Sequence, residues 1–211
     1  LAEVRNAPPL ILLGRRPGSE RRRGDVLRRA GRVLRLYHDR VAGTHAGELD
    51  GAALAKEIEE AAAALGPAPA LADLARSARA RHGTVAPMGD AHGDCNTSNV
   101  LITADGRAAL LDPNLVPGPL PADAAKLLVD LRMRRSRAAT LGMLGRRGLA
   151  AAEAAFLEGY GPVDAGLLGF LVQVAVVRRG AEMAARLARL RRGLRGPALR
   201  ALRRYVVSEA G

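Results

Sequence analysis

Tryptophan is absent from this chain of 211 residues, and aromatic residues make up only 2% of it. Proteins that bind single-stranded nucleic acid stack bases on aromatic side chains, so no specific nucleic-acid partner is expected. Lysine is scarce as well. Lys56 and Lys126 are the only two, and arginine carries the formal charge of +12. Alanine, glycine and proline are abundant beside it, as in the product of a GC-rich coding sequence. The arginine excess therefore reads as solvated basic surface rather than a dedicated polyanion site. Cys95 is the only cysteine, which excludes a disulfide framework and fits a reducing, cytoplasmic setting.

Long hydrophobic runs are missing too. The longest, residues 166–177, is interrupted by Gln173 and falls short of the roughly 20 residues of a membrane helix, so no membrane span is expected. The opening LAEVRNAPPLILLG has neither the charge order nor the cleavage site of a signal peptide. It begins on leucine, the start expected of a fragment or a processed chain. What is present suffices for a core: hydrophobic residues are 48%, enough for one domain or two small lobes.

Periodicity organises the chain. Residues 10–13 form a short apolar run between Pro8-Pro9 and Gly14 and predict a strand. Ser19 suits the N-cap of a helix to about Arg40, with Val26, Ala30, Val33, Leu34 and Tyr37 at helical spacing. Residues 40–47 read as loop, 49–65 and 71–81 as helices. The one clear β signal is NVLITADGRAALLD, two apolar runs at 100–103 and 107–111 joined through Asp105-Gly106, a tight-turn dipeptide. The prolines of PNLVPGPLP predict irregular chain after Asp112. Asp123 then opens a helix to about Met133. Helical segments follow at 135–146, 150–160, 163–178, 181–191 and 197–208, punctuated by glycine.

The chemistry is sought at the hairpin. Asn99 precedes its first strand and Asp112 follows its second, so a symmetric turn at Asp105-Gly106 sets the two opposite each other, about 5 Å apart between Cα atoms. One anionic and one neutral oxygen donor suit a hard cation such as Mg²⁺, which completes its shell with water and phosphate. Asp94, on the loop before, is placed to take a proton from an incoming hydroxyl. Phosphoryl transfer needs such a constellation.

HGDCNTSN (residues 92–99) followed by LLDP (residues 110–113) resembles the catalytic signature of the aminoglycoside-phosphotransferase-like kinases, relatives of the protein kinases. The resemblance implies Asp94 as catalytic base, with Asn99 and Asp112 as magnesium ligands. ADAAKLL resembles the helix whose opening aspartate, here Asp123, braces the catalytic loop. RAGRVLRLYHD resembles a helix ending in Leu-x-x-His beneath that loop. PPLILLGRRPG resembles the last small-lobe strand and the hinge, with Leu12 and Leu13 against the nucleotide.

The fold implied is α+β and mostly helical, the large C-terminal lobe of a protein-kinase-like fold with a catalytic β-hairpin and the small lobe largely missing. Residues 1–18 would be the last small-lobe strand and hinge. Residues 19–211 would be the large lobe, with catalytic loop and hairpin at 91–113 and C-terminal helices at 122–211. The expected activity is transfer of a phosphoryl group from ATP with Mg²⁺ to a hydroxyl of a small molecule such as an aminoglycoside, sugar or other metabolite. Two alternatives stand beside it: an incomplete or degenerate kinase-like fold that binds an acidic partner, and a kinase with a protein or lipid acceptor. Neither lysine replaces the phosphate-binding lysine of the small lobe, since both lie in helices of the large one.

Other polar residues have plainer readings. His92 packs beneath the loop as structural support, and Cys95 is a small buried residue with no histidine to activate it. Asp123 also suits an ordinary N-terminal helix charge. His38 and His45, near Asp39 and Glu48, lack a third convergent ligand and read as surface residues. The arginines from Arg178 to Arg204 read as solvated helix faces.

Overall fold

The structure is a computed structural model that describes residues 19–103, 107–135, 146–189 and 192–210. Leu12 and Leu13, the turn Asp105-Gly106 and most of the helix expected at 135–146 lie outside the described residues. The chain divides into two compact units, one from Leu1–His45 with Pro87–Leu168, the other from Ala46–Ala86 with Gly169–Gly211. Among the described residues no helix is long and apolar enough to cross a membrane.

The first unit is built on two helices, α1 (Ser19–Arg40) and α5 (Arg146–Tyr160). Val26, Leu27, Ala30 and Leu34 form the buried stripe of α1, and Ala152, Ala155, Phe156 and Tyr160 that of α5. The backbones touch where glycines alternate across the seam. A Cβ at Gly31 would lie 2.2 Å from the Phe156 carbonyl oxygen, and one at Gly159 would lie 2.0 Å from the Arg28 carbonyl oxygen. Neither position has room for a side chain. The third helix of this unit, α4 (Pro121–Arg135), starts on proline, whose missing N–H costs nothing in a first turn. Ala124, Ala125, Leu127, Leu128, Val129, Leu131 and Met133 are all buried, so α4 is apolar around most of its circumference and runs through the interior.

The hairpin pairs β3 (Val100–Ile102) with β4 (Ala108–Leu110) antiparallel, Val100 opposite Leu110 and Ile102 opposite Ala108. This differs by one residue from the expected register. The Thr103 N–H donates to the Arg107 carbonyl at 2.9 Å, a pairing one residue out of step with a turn centred between Asp105 and Gly106. Asn99 consequently pairs with Leu111, whose N–H donates to the Asn99 carbonyl at 2.9 Å, and Asp112 lies one residue beyond.

A second correction concerns the prolines. Residues 116–119 are β5 (Val116–Pro119), an edge strand antiparallel to β2 (Val85–Ala91). The Leu120 N–H donates to the Pro87 carbonyl at 2.9 Å. Alternation then puts Pro117 and Pro119 in positions that donate nothing to β2, where an edge strand tolerates proline. Sequence reading missed β2 because its inward positions are Ala86, Gly89 and Ala91, too small to give a hydrophobic alternation.

The second unit is mostly helical and holds all but the first residue of β1 (His45–Glu48), a strand where residues 40–47 predict loop. Its helices are α2 (Gly51–Leu65), α3 (Pro69–Ala80), most of α6 (Ala165–Leu187) and α7 (Arg192–Ala210). The Asp50 side chain caps α2 by accepting the Ala53 N–H at 2.9 Å. Leu54, Ile58, Leu71, Leu74, Phe170, Val174, Val177, Leu202 and Val206 are buried here. The two helices expected at 163–178 and 181–191 are one, because Gly180 continues α6 rather than ending it. A Cβ there would come within 2.5 Å of the Val206 Cγ2, so glycine serves the approach of α7.

Candidate active site

Ahead of Arg132, the polar residues of α4 stand on one stripe: Asp123, Lys126 and Asp130, at helical spacing i, i+3 and i+7. All three reach the loop that holds HGDCNTSN. Asp123, 1% exposed, accepts the His92 N–H at 2.7 Å through Oδ2 and the Gly93 N–H at 2.9 Å through Oδ1. Lys126 Nζ donates to the Gly93 carbonyl. Asp130 accepts both the Thr97 N–H at 3.0 Å and the Thr97 hydroxyl at 2.6 Å. A loop folded over a helix leaves amides facing the interior, and each buried N–H needs an acceptor. Two carboxylates supply them, and bonds to a charged acceptor are the strong ones.

Between those anchors the loop turns outward. Gly93 has φ +79°, the left-handed region, and a Cβ there would meet the Val116 Cγ2 at 2.7 Å. Both constraints call for glycine. Asp94 follows and is exposed. Its Oδ1 accepts the Asn96 side-chain amide at 3.0 Å, and its Oδ2 accepts that of Asn99 at 2.9 Å. The Asn96 Oδ1 in turn accepts the Ser98 N–H at 2.8 Å, an Asx turn that shapes the approach to β3. Asp94 is thus held from both sides yet open to solvent, and each oxygen keeps a lone pair for a further donor.

Asn99 and Asp112 lie at the open end of the hairpin, one register step from direct opposition. The Asn99 amide nitrogen is committed to Asp94, which leaves its Oδ1 as acceptor. Asp112 is exposed with φ +52°, and Leu115 has φ +50°. For a leucine that conformation is strained. The segment is tied back where the Asn114 N–H donates to the His92 carbonyl at 2.8 Å. Among the described residues no group of three or more His, Cys, Asp or Glu is placed to hold a metal.

His92 is fully buried, its ring edge-on to Tyr37 with centroids 5.9 Å apart, and neither ring nitrogen has a protein partner. Cys95 is buried as well. Burial first, then the charge of Asp123, pushes its thiol well above the ordinary value, so no thiolate forms near neutrality. His38 corrects the sequence reading. It is 3% exposed, with Nε2 3.0 Å from Asp123 Oδ2 and Nδ1 3.1 Å from the Tyr160 hydroxyl. The apolar stripe of α1 reaches its last turn and carries His38 inward, whereas Asp39 beside it is about half exposed.

Sequence reading also missed Asn96, Thr97, Lys126, Asp130 and Tyr160. A signal for two of them was present. A helix apolar on nearly every face has no solvated side, so Lys126 and Asp130 had to find partners. The cavity of about 530 Å³ between the first turns of α1 and α5 is lined by Arg23, Arg28 and Arg147 and by no residue of the loop.

Comparison with known proteins gives a family and a fold. The model of a family described as "Phosphotransferase enzyme family" matches residues 7–167. A solved structure of a glucosamine kinase aligns over 96% of this chain and 52% of its own, with TM-score 0.62 and 21% identity. A second, of glucosamine kinase in complex with glucosamine, ADP and inorganic phosphate, aligns over 92% and 50% with TM-score 0.58 and 20% identity. No curated protein matches the chain. The chain spans about half the length of these structures, and at that identity the likeness is one of fold. The mostly helical kinase-like fold expected from the sequence is the fold observed.

Proposed function

The chain belongs to the phosphotransferase enzyme family, and from that premise we propose that it transfers the terminal phosphoryl group of ATP to a hydroxyl of a small molecule. The observation that carries the reading is the setting of Asp94. Its carboxylate is exposed, held by the amides of Asn96 and Asn99 at 3.0 and 2.9 Å, on a loop anchored by two buried carboxylates. A carboxylate so oriented takes the proton of the acceptor hydroxyl as its oxygen attacks phosphorus. The leaving oxygen departs with the nucleoside diphosphate, and Asp94 releases its proton to solvent.

The donor set also suits Mg²⁺. Asn99 offers Oδ1 and Asp112 an exposed carboxylate, two hard oxygens, and Mg²⁺ takes few protein ligands beside phosphate and water. When bound, it supplies charge neutralisation across the phosphates. The acceptor class we favour is a sugar or amino sugar, by analogy of fold with the glucosamine kinases. Leu12 and Leu13 would line the adenine side of the nucleotide.

The test joins turnover and binding. Asp94→Ala is expected to lower kcat about 100-fold or more while leaving Mg-ATP affinity, read by calorimetry, within about threefold, the ordinary context spread. Undiminished phosphoryl transfer by Asp94→Ala would overturn the reading. Absence of any heat with Mg-ATP in the unaltered protein would favour the binding module instead.

A further inference from the structure

Four segments meet in one buried line of hydrogen bonds. The Tyr160 hydroxyl at the end of α5 lies 3.1 Å from Nδ1 of His38 at the end of α1. His38 Nε2 lies 3.0 Å from Oδ2 of Asp123 in the first turn of α4. The same oxygen accepts the His92 N–H, and its twin accepts the Gly93 N–H, directly before Asp94. Tyr160, His38 and Asp123 are 2%, 3% and 1% exposed. The line is closed to solvent as far as His92, and Gly93 is half-buried.

Its proton order follows from the donor inventory. With two backbone donors already on it, the Asp123 carboxylate is an acceptor, so His38 Nε2 carries the hydrogen. Nδ1 is left to pair with the phenol, whose hydroxyl can donate or accept. Burial, ahead of all other causes, raises the Tyr160 phenol far above its usual value, and the Asp123 charge acts in the same direction. The hydroxyl therefore keeps its hydrogen over the working range of pH. The Tyr160 ring is itself fixed, stacked on Phe156 at 6.1 Å and edge-on to His38 at 5.7 Å. Held at both nitrogens, the imidazole cannot rotate without breaking a buried bond.

We propose that Tyr160 is a positioning residue for the catalytic loop, acting through His38 to fix the Asp123 carboxylate and with it the amides that set Asp94. The role assigned to Asp94 rests on the phosphotransferase reading; the chain of bonds itself does not. Loss of the hydroxyl leaves Nδ1 buried without a partner and frees the ring to tilt, so the defect travels to His92 and Gly93. It bypasses Thr97, which is held independently by Asp130.

That difference provides the test. Tyr160→Phe keeps the ring and its stacking on Phe156. In it, amide hydrogen exchange of His92 and Gly93 is expected to accelerate about tenfold relative to Thr97, the worth of one hydrogen bond. Taking the ratio cancels a uniform loss of stability. Turnover is expected to fall about fivefold with KM for nucleotide and acceptor unchanged, as when only the reacting geometry loosens. His38→Gln, which removes the ring linking the two ends, is read in the same way if Tyr160→Phe does not fold. An unchanged exchange ratio overturns the proposal, even in an active enzyme. A raised ratio in a protein that transfers no phosphate upholds the proposal and sinks the functional reading instead.

Discussion

His38 meets Asp123 at 3.0 Å in the first unit, and Arg79 meets Glu59 at 2.6 Å in the second. The shorter contact is the lesser one. Arg79 and Glu59 are each 52% exposed, so water and salt compete for both, whereas His38 and Asp123 are 3% and 1% exposed. An exposed pair contributes about 0–1 kcal/mol. A buried charge stripped of its partners, or partners stripped of their charge, costs several times that. The second unit spends its ion pairs on helix surfaces over an apolar core. The first has surface pairs too, such as Arg35 with Asp39, but it also places polar contacts inside, where they hold a loop in a shape its own backbone does not favour. Burial, rather than distance, separates contacts that decorate from contacts that build a site.

Asp123→Ala is the strongest way to break that comparison. It orphans the His92 and Gly93 amides and one face of His38 together. Urea unfolding should register a loss of about 3–5 kcal/mol, and a loss below about 1 kcal/mol would place this contact in the exposed class.

Next comes alkaline pH. Burial raises the Cys95 thiol in the folded state, so the folded chain holds that proton after the unfolded chain has released it, above about 8.5. Stability from this group is complete below that pH and declines above it, by about 1.4 kcal/mol per pH unit. Denaturation at pH 8 and pH 9.5 should show the decline in the wild type and a flatter profile in Cys95→Ala. Matching slopes would remove Cys95 from the account. Tyr37 and Tyr160 are also raised by burial, but unfolded phenols titrate only near 10, beyond this window.

The smallest effect is expected in the second unit. Glu59→Ala should change unfolding free energy by less than about 1 kcal/mol, and less again in high salt.

Much of the first unit's frame was legible in the sequence. The stripe of Val26, Ala30 and Leu34 marked α1, and the two apolar runs around Asp105-Gly106 marked the hairpin. Asp94, Asn99 and Asp112 were picked out by their places before the hairpin and at its open end, and by the resemblance of HGDCNTSN and LLDP to a kinase signature. The register was not legible. A turn dipeptide announces a reversal but not its centre, and a shift of one residue moves every pair, so Asn99 faces Leu111 instead of Asp112. The strand at Val116–Pro119 was hidden because proline is forbidden only where its nitrogen must donate, and that depends on which side the partner lies. His38 was read as surface because no third convergent ligand stood near it in the sequence; the apolar stripe of α1 turned it inward.

The sequence by itself determined where most helices and the hairpin form and marked Asp94, Asn99 and Asp112 as candidates, because periodicity and motif spacing are local properties of the chain. Only the tertiary structure decided what those residues touch. That Asp123 reaches two loop amides, that Asp130 holds Thr97, and that Tyr160 and His38 stand behind them depends on segments far apart in the chain. The partner of a buried polar group is set by whatever the packing of its neighbours leaves within about 3 Å, and no pattern along one segment records it.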